Sequence, residues 1–195
     1  MRNGGRWRFD ARRGTQELID RRVGRNELDT IETLRALGLA QAEFARTAGR
    51  QGGFSHYARR MFSSPGARDG LYWPSAEGEA PSPLGPLAAA ASAGGYSRQT
   101  GADSPRAFNG YLFRILESQG PAAPGGAMDY LVNGQLLGGY AILAFPVHYG
   151  ASGIKSFVIS HHGQIWERDL GPNTAAAASA IASFDPGPGW SRLAE

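Results

Sequence analysis

The chain of 195 residues contains no cysteine and a single lysine, Lys155. The absence of cysteine excludes disulfide bonds, thiolate metal ligands and cysteine nucleophiles. No apolar run approaches the roughly 18 residues that a membrane-spanning helix needs, so we expect no transmembrane segment in this chain. The opening stretch MRNGGRWRFD also has no apolar segment of the kind found in a signal peptide.

Positive charge is concentrated in the first part of the chain. Residues 1–70 carry 14 Arg and 8 acidic residues, whereas residues 71–195 carry 6 basic and 9 acidic residues. The arginines of the segment ELIDRRVGRNELDTIETLR alternate with Asp and Glu, which is typical of a solvated helix with i,i+4 ion pairs. We therefore expect no nucleic-acid partner.

Helical periodicity dominates the first 50 residues. The segment TQELIDRRV predicts a helix, Gly24 predicts its interruption, and Asn26 predicts the N-cap of a second, longer helix that ends before Gly49. Apolar residues recur there at intervals of three to four and predict the buried stripe. The predicted stripe consists of Leu28, Ile31, Leu34, Leu37 or Leu39, Ala42 and Ala45, with Phe44 beside it.

Strand patterns begin near residue 108. Four segments predict strands, namely NGYLFRILESQG, LLGGYAILAFP, IKSFVIS and QIWERDL. The letters HHG between the last two predict a tight hairpin with Gly163 at positive φ. The segment GPNTAAAASAIASFD predicts a short C-terminal helix anchored by Ile181 and Phe184. This order predicts an α+β fold in which a long N-terminal helix packs on an antiparallel meander.

The region between the helices and the strands is rich in Pro, Gly and Ser, and we expect a long loop over most of residues 71–110. At the start of the chain, GGRWRFD predicts a short amphipathic strand, and a lone strand needs partners. We therefore expect residues 1–25 to be the end of a missing N-terminal domain together with a linker helix. Residues 26–195 are then expected to form the α+β domain.

Two resemblances follow from these segments. The helix at 26–48 and the strands in GYLFRI and GGYAILAFPVHYGASGIKSFVISHHGQIW resemble the helix and C-terminal sheet of type IV pilin-like and pseudopilin proteins. The resemblance implies a pilin-like fold. However, the stretch TQELIDRRVGR is charged where a pilin has a hydrophobic half-helix, so it does not imply a pilus subunit.

A second resemblance spans nearly the whole chain. The motifs GGRWRFD, VGRNEL, DGLYWP, GEAPSPLGPL, APGGAMDY, VNGQLLGGYAILAFP and DLGPNTA resemble a bacterial family described as a domain of unknown function. Members of that family are generally exported and carry a further N-terminal region with a signal sequence. The resemblance therefore implies a periplasmic or secreted protein, and it implies no reaction.

The adjacent histidines His161 and His162 are the first candidates for chemistry. Neighbouring residues on a strand point to opposite faces, and in a tight turn both side chains are expected to point into water. This spacing does not suit a metal site, and we expect none. Ser152 lacks the G-x-S-x-G context of a nucleophile, and no phosphate-binding glycine pattern is present, so we also expect no cofactor.

The remaining candidates are aromatic and acidic residues of the loops. They are Tyr72, Trp73, Glu77, Glu79, Tyr96 and Tyr130. The aromatic rings either stack on a ligand, such as a protein or an envelope polymer, or clamp the long loop onto the sheet.

We expect a non-catalytic exported or cell-envelope protein that acts by binding or assembly. The alternative is a carboxylate-dependent hydrolase of an envelope substrate, using Glu77, Glu79, Asp129 or His148. The oligomeric state stays open.

Overall fold

The structure, a computed structural model, describes residues 2–3, 6–7, 10–76, 78–88 and 107–194. Its largest helix, α1, spans Ala11–Arg46, or 36 residues. At 1.5 Å per residue this helix is about 54 Å long. The pair β1 (Arg2–Asn3) and β2 (Arg6–Trp7) precedes it as an antiparallel two-stranded unit.

Helix α1 is continuous, and the predicted interruption at Gly24 is wrong. The helix begins at Asp10, whose side chain accepts a hydrogen bond from the Arg13 backbone N–H at 3.2 Å. Asn26 is therefore not an N-cap but lies inside the helix. A helical glycine costs only about 1 kcal/mol relative to alanine, and the buried Val23 and the contacts of Asn26 offset that cost.

The buried face of α1 differs in part from the predicted apolar stripe. Its buried residues are Val23, Thr30, Thr33, Leu34, Leu37, Ala40, Gln41 and Phe44. Leu34, Leu37 and Phe44 confirm the prediction, but Leu28 and Leu39 are exposed by 66% and 74%. Polar residues occupy the buried face because their hydrogen bonds are satisfied. The Thr30 hydroxyl donates to the Asn26 carbonyl, and the Gln41 amide both donates to and accepts from the Ala58 backbone.

Four short strands follow α1. They are β3 (Arg50–Gln51), β4 (Phe54–Ser55), β5 (Arg60–Phe62) and β6 (Gly70–Tyr72). The first two form an antiparallel hairpin, and the last two pair in parallel.

The core of the fold is a five-stranded antiparallel sheet. Its members in spatial order are β15 (Ser191–Arg192), β14 (Ile165–Asp169), β13 (Lys155–Ser160), β12 (Ala141–Pro146) and β7 (Tyr111–Leu116). The four predicted strands are thus confirmed. Two small antiparallel pairs stand apart from this sheet, β8 (Ser118–Gln119) with β9 (Met128–Asp129) and β10 (Leu131–Val132) with β11 (Gln135–Leu136).

Helices cover both faces of the sheet, and the predicted α+β class is confirmed. Helix α1 packs on β12 and β13, where a Cβ added at Gly38 would contact the side chains of Tyr140 and Ile159. The short helix α2 (Thr174–Ala180) packs on the opposite face. The guanidinium of Arg114 donates to the carbonyls of Ala178 and Ile181 at 2.7 and 2.6 Å, which satisfies the last carbonyls of α2.

Both faces of the central strands are buried as a result. In β12 and β13 nearly every residue is inaccessible to solvent, including Ile142, Leu143, Phe157 and Ile159. Phe184, predicted as an anchor of the last helix, is also buried. Within the described ranges, no helix is both long and apolar enough to cross a membrane.

Candidate functional site

The described part of the predicted loop cluster centres on Trp73. Its indole is 8% exposed, and the guanidinium of Arg68 lies 5.6 Å from the ring centroid, within the range of a cation–π contact. Arg68 also forms an ion pair of 3.3 Å with Glu79. Tyr72 ends strand β6 and makes an edge contact with Phe62 at 5.8 Å. Glu77 and Tyr96 lie outside the described residues.

Tyr130 occupies a different environment from Trp73. Its side chain is fully buried and its hydroxyl donates to Gln119 Oε1 at 2.8 Å. The amide nitrogen of Gln119 in turn donates to the carbonyls of Pro124 and Gly126. Burial raises the pKa of Tyr130 to about 12. Tyr130 therefore fixes the loop at 119–126 and offers no exposed ring to a ligand.

His161 and His162 lie in the predicted turn, with Gly163 at φ 79°, but only His162 points into water. The expectation of an exposed His161 is wrong. Its ring packs over Gly139, where an added Cβ would lie 2.5 Å from His161 Nδ1, and it makes an edge contact with Tyr130 at 5.5 Å. This glycine leaves the space that the imidazole fills.

The environment of His161 favours the neutral imidazole. Nδ1 is buried and has no hydrogen-bond partner. Burial, together with the neighbouring His162 at a ring distance of 4.1 Å, lowers the pKa of His161. Among the described residues, no group of three or more His, Asp or Glu side chains is placed to hold a metal ion.

An open groove of about 600 Å³ lies where β8 and β9 pair. It is lined by Glu117, Ser118, Gln119, Ala127, Met128, Asp129, Leu131 and Ala182. Glu117 is held by Arg59, whose Nε and Nη2 donate to the two carboxylate oxygens at 2.8 and 3.1 Å. Asp129 accepts the backbone N–H of Leu131 at 2.9 Å.

Sequence analysis missed Glu117 as a member of this groove and Arg59 as the partner of its carboxylate. They are 58 residues apart, and neither belongs to a motif, so no local signal identifies the pair.

The residues that the sequence offered for a hydrolase do not lie together in the described part of the structure. Glu79 binds Arg68, Asp129 lies in the groove, and His148 belongs to a loop in which its backbone N–H donates to Ser152 Oγ at 3.0 Å.

Helix α1 is attached to the domain by a cluster of polar contacts at one loop. Asn26 Nδ2 donates to the Ser152 carbonyl at 2.8 Å, and Glu27 Oε1 accepts the backbone N–H groups of Ile154 and Lys155, both at 2.9 Å. One turn earlier, Arg22 Nε donates to the carbonyl of Ala151 at 3.1 Å. We call these contacts the helix–loop clamp.

Residues 11–21, which precede the clamp, form what we call the helical arm. Its side-chain hydrogen bonds are local to the helix, as in Gln16 to Asp20 and Arg21 to Glu17. Nine of these eleven residues are exposed. Over about the first 16 Å of its length, the helix therefore makes no side-chain hydrogen bond to other elements of the described chain.

The fold defines an α+β protein in which one long helix extends past the sheet that anchors it. The chain matches the family model "Protein of unknown function (DUF2950)" over residues 1–193 and belongs to that family. The expectation of a domain of unknown function is thereby confirmed. No curated protein and no solved structure matches the chain.

Proposed function

We propose that the protein is a bacterial, exported or cell-envelope protein with a pilin-like fold, and that it acts by binding or assembly rather than by catalysis. The observation that carries this proposal is the helical arm. Isolated helices shorter than about 12–15 residues are marginal in water, so the packed part of α1 is what stabilises the arm. A rigid, exposed element of this kind suits contact with another molecule.

The charge of the arm, taken with the helical turn that follows it, supports a protein or an anionic envelope polymer as the partner. The arm itself, residues 11–21, has a net charge of +1, and residues 11–25 together contain five arginines and two acidic residues, a net charge of +3. Clustered charge of one sign raises the local concentration of ligands of the opposite sign. In this proposal residues 1–25 serve as the binding extension and residues 26–195 as the globular domain. The sequence motifs quoted above support a periplasmic or secreted location.

Site-specific cross-linking in cells tests this function. A photo-reactive amino acid replaces Thr15, an exposed residue of the arm, and in a matched strain it replaces His162, an exposed residue of the hairpin turn. We expect the protein in the envelope or secreted fraction, with adducts from position 15 and few from position 162. Recovery in the cytoplasm, or equal adducts at the two positions, would contradict the proposal.

The groove supports a second candidate, the carboxylate-dependent hydrolase. Asp129 and Glu117 line the same open groove, and in glycoside hydrolases two carboxyl groups perform acid and base catalysis. Incubation of the full chain with purified envelope polymers tests this candidate. Release of products that Asp129→Asn abolishes and Asp185→Asn retains would support hydrolysis. If none of the polymers yields products, the hydrolase candidate is rejected.

A further inference from the structure

The face of α1 that points away from the sheet carries a regular stripe of exposed residues. Counted at alternating steps of three and four, these residues are Leu18, Arg21, Arg25, Leu28, Glu32, Arg35 and Leu39, and all are exposed. The three leucines are 69%, 66% and 74% exposed. Single exposed leucines are ordinary on protein surfaces. Three on one stripe of one helix, with charged residues between them, form an aligned row of leucines without cover among the described residues. We call this surface the leucine stripe.

The spacing of the leucine stripe is symmetric about its centre. Leu18 precedes Leu28 by ten residues, and Leu39 follows it by eleven. When two copies of α1 lie antiparallel with their two-fold axis beside Leu28, Leu18 of each copy is level with Leu39 of the other. The two Leu28 side chains then meet at the axis. The same patch therefore complements itself, as an isologous two-fold interface requires.

The two central charges of the stripe, Arg25 and Glu32, favour the same arrangement, although it also places Arg21 of each copy close to Arg35 of the other. Arg25 lies three residues before Leu28 and Glu32 lies four residues after it, so each Arg25 is level with Glu32 of the second copy. Within the described ranges Arg25 makes no ion pair or side-chain hydrogen bond, whereas Glu32 already pairs with Arg35 of its own helix. In the antiparallel pair, the Glu32 carboxylate would thus lie between two guanidinium groups, that of Arg35 in its own helix and that of Arg25 in the second copy.

A parallel arrangement is electrostatically worse. It places Arg25 beside Arg25 and Glu32 beside Glu32, and juxtaposed like charges disfavour an interface. The buried residues of α1, such as Leu34, Leu37 and Gln41, lie on the face opposite the leucine stripe, and α1 packs on β12 and β13. The described part of each sheet therefore lies on the outer side of the helix pair.

We propose that the leucine stripe is a homodimer interface, in which α1 of one chain packs antiparallel against α1 of a second copy. This inference rests on the proposed function in assembly and names the partner as a second copy of this chain. Burial of six leucine side chains and two Arg25–Glu32 pairs drives the association.

The absence of native cysteine makes cross-linking a direct test. Three full-length variants, Leu18→Cys, Leu28→Cys and Leu39→Cys, are treated with a short bismaleimide, alone and mixed in pairs. We expect Leu28→Cys to cross-link with itself. Leu18→Cys and Leu39→Cys are expected to react with each other in the mixture but not with themselves, because two copies of position 18 lie about 30 Å apart in this arrangement.

Other cross-linking patterns overturn the proposal. Self-cross-linking at all three positions identifies a parallel pair, and cross-linking at none identifies a chain that does not self-associate through this stripe. Thr15→Cys, exposed on the same helix outside the stripe, is the control for random collision. If adducts at position 15 with an envelope component persist while the stripe does not cross-link, homodimerisation fails and the proposed binding function stands.

Discussion

Gly153 and Gly24 show how strongly the surroundings of a glycine determine the effect of adding a side chain. An added Cβ at Gly153 would lie 2.0 Å from the hydroxyl oxygen of Tyr111, which donates to the Lys155 carbonyl at 2.8 Å in the core. Gly24 lies in helix α1 with no atom within 4 Å of a Cβ. The same substitution is therefore expected to act in opposite directions at the two sites.

We predict that Gly153→Ala lowers the free energy of unfolding by about 3 kcal/mol, because the buried Tyr111 ring and its hydrogen bond must move. Gly24→Ala is expected to raise it by about 0.5–1 kcal/mol, since alanine loses less backbone entropy in a helix. Urea denaturation measures both. Equal effects of the two variants would show that the close contact at Gly153 does not constrain the fold.

His161 makes stability depend on pH. The fold lowers the pKa of His161 through burial, so the folded chain keeps the imidazole neutral while the unfolded chain takes up a proton below about pH 6.5. This contribution to stability is complete above the unfolded pKa and is lost as the pH falls toward the lowered folded pKa. The slope is at most about 1.4 kcal/mol per pH unit for one proton.

Denaturation between pH 8 and pH 5 measures this effect. We expect His161→Gln to flatten the acid side of the profile relative to the native chain. His162→Gln is the matched control, because His162 is exposed and should leave most of the dependence in place. A profile unchanged by His161→Gln would mean that other groups cause the dependence.

At the level of elements, the strands were the most predictable feature. Each of the four long strands is a short apolar or alternating run bounded by turn residues, and the structure keeps all four. The helix was harder to predict from its pattern alone. Thr30 and Gln41 are polar yet buried, since α1 and the Ala58 backbone satisfy them, and Leu28 and Leu39 are apolar yet exposed.

The helix–loop clamp should hold α1 on the loop at 151–155. We predict that Glu27→Ala destabilises the protein by about 1–3 kcal/mol, because the N–H groups of Ile154 and Lys155 lose a charged acceptor. Hydrogen exchange at these two amides should accelerate. Glu17→Ala removes only an exposed ion pair with Arg21 and should cost less than about 0.5 kcal/mol. Equal costs of the two variants would argue against the clamp.

Charge exchange on α1 tests the orientation of the proposed homodimer. Arg25→Glu and Glu32→Arg are each expected to weaken self-association about tenfold, because each places like charges across the interface. The double variant restores opposite charges and should recover most of the affinity. Analytical ultracentrifugation measures the three constants. If the double variant is weaker than both single variants, the antiparallel pairing is wrong.

On the scale of the whole molecule, the α+β class followed from the order of helical and strand patterns, but the groove did not. The groove depends on Arg59 reaching Glu117 and on the loop that Gln119 and Tyr130 hold, contacts that join residues distant in sequence. The predicted aromatic cluster is divided for a similar reason. Trp73 lies under Arg68, whereas Tyr130 is buried beside His161.

The molecule thus combines a sheet buried on both faces with a helix whose outer face is uncovered among the described residues. The central claim is that two copies of the chain assemble through α1. The molar mass in solution, measured by light scattering for the native chain and for Leu28→Glu over a range of concentrations, tests this claim most directly. We predict a native dimer of twice 20.7 kDa that Leu28→Glu converts to a monomer, while the matched Thr15→Glu remains dimeric. A native chain that stays at 20.7 kDa at every concentration would contradict it.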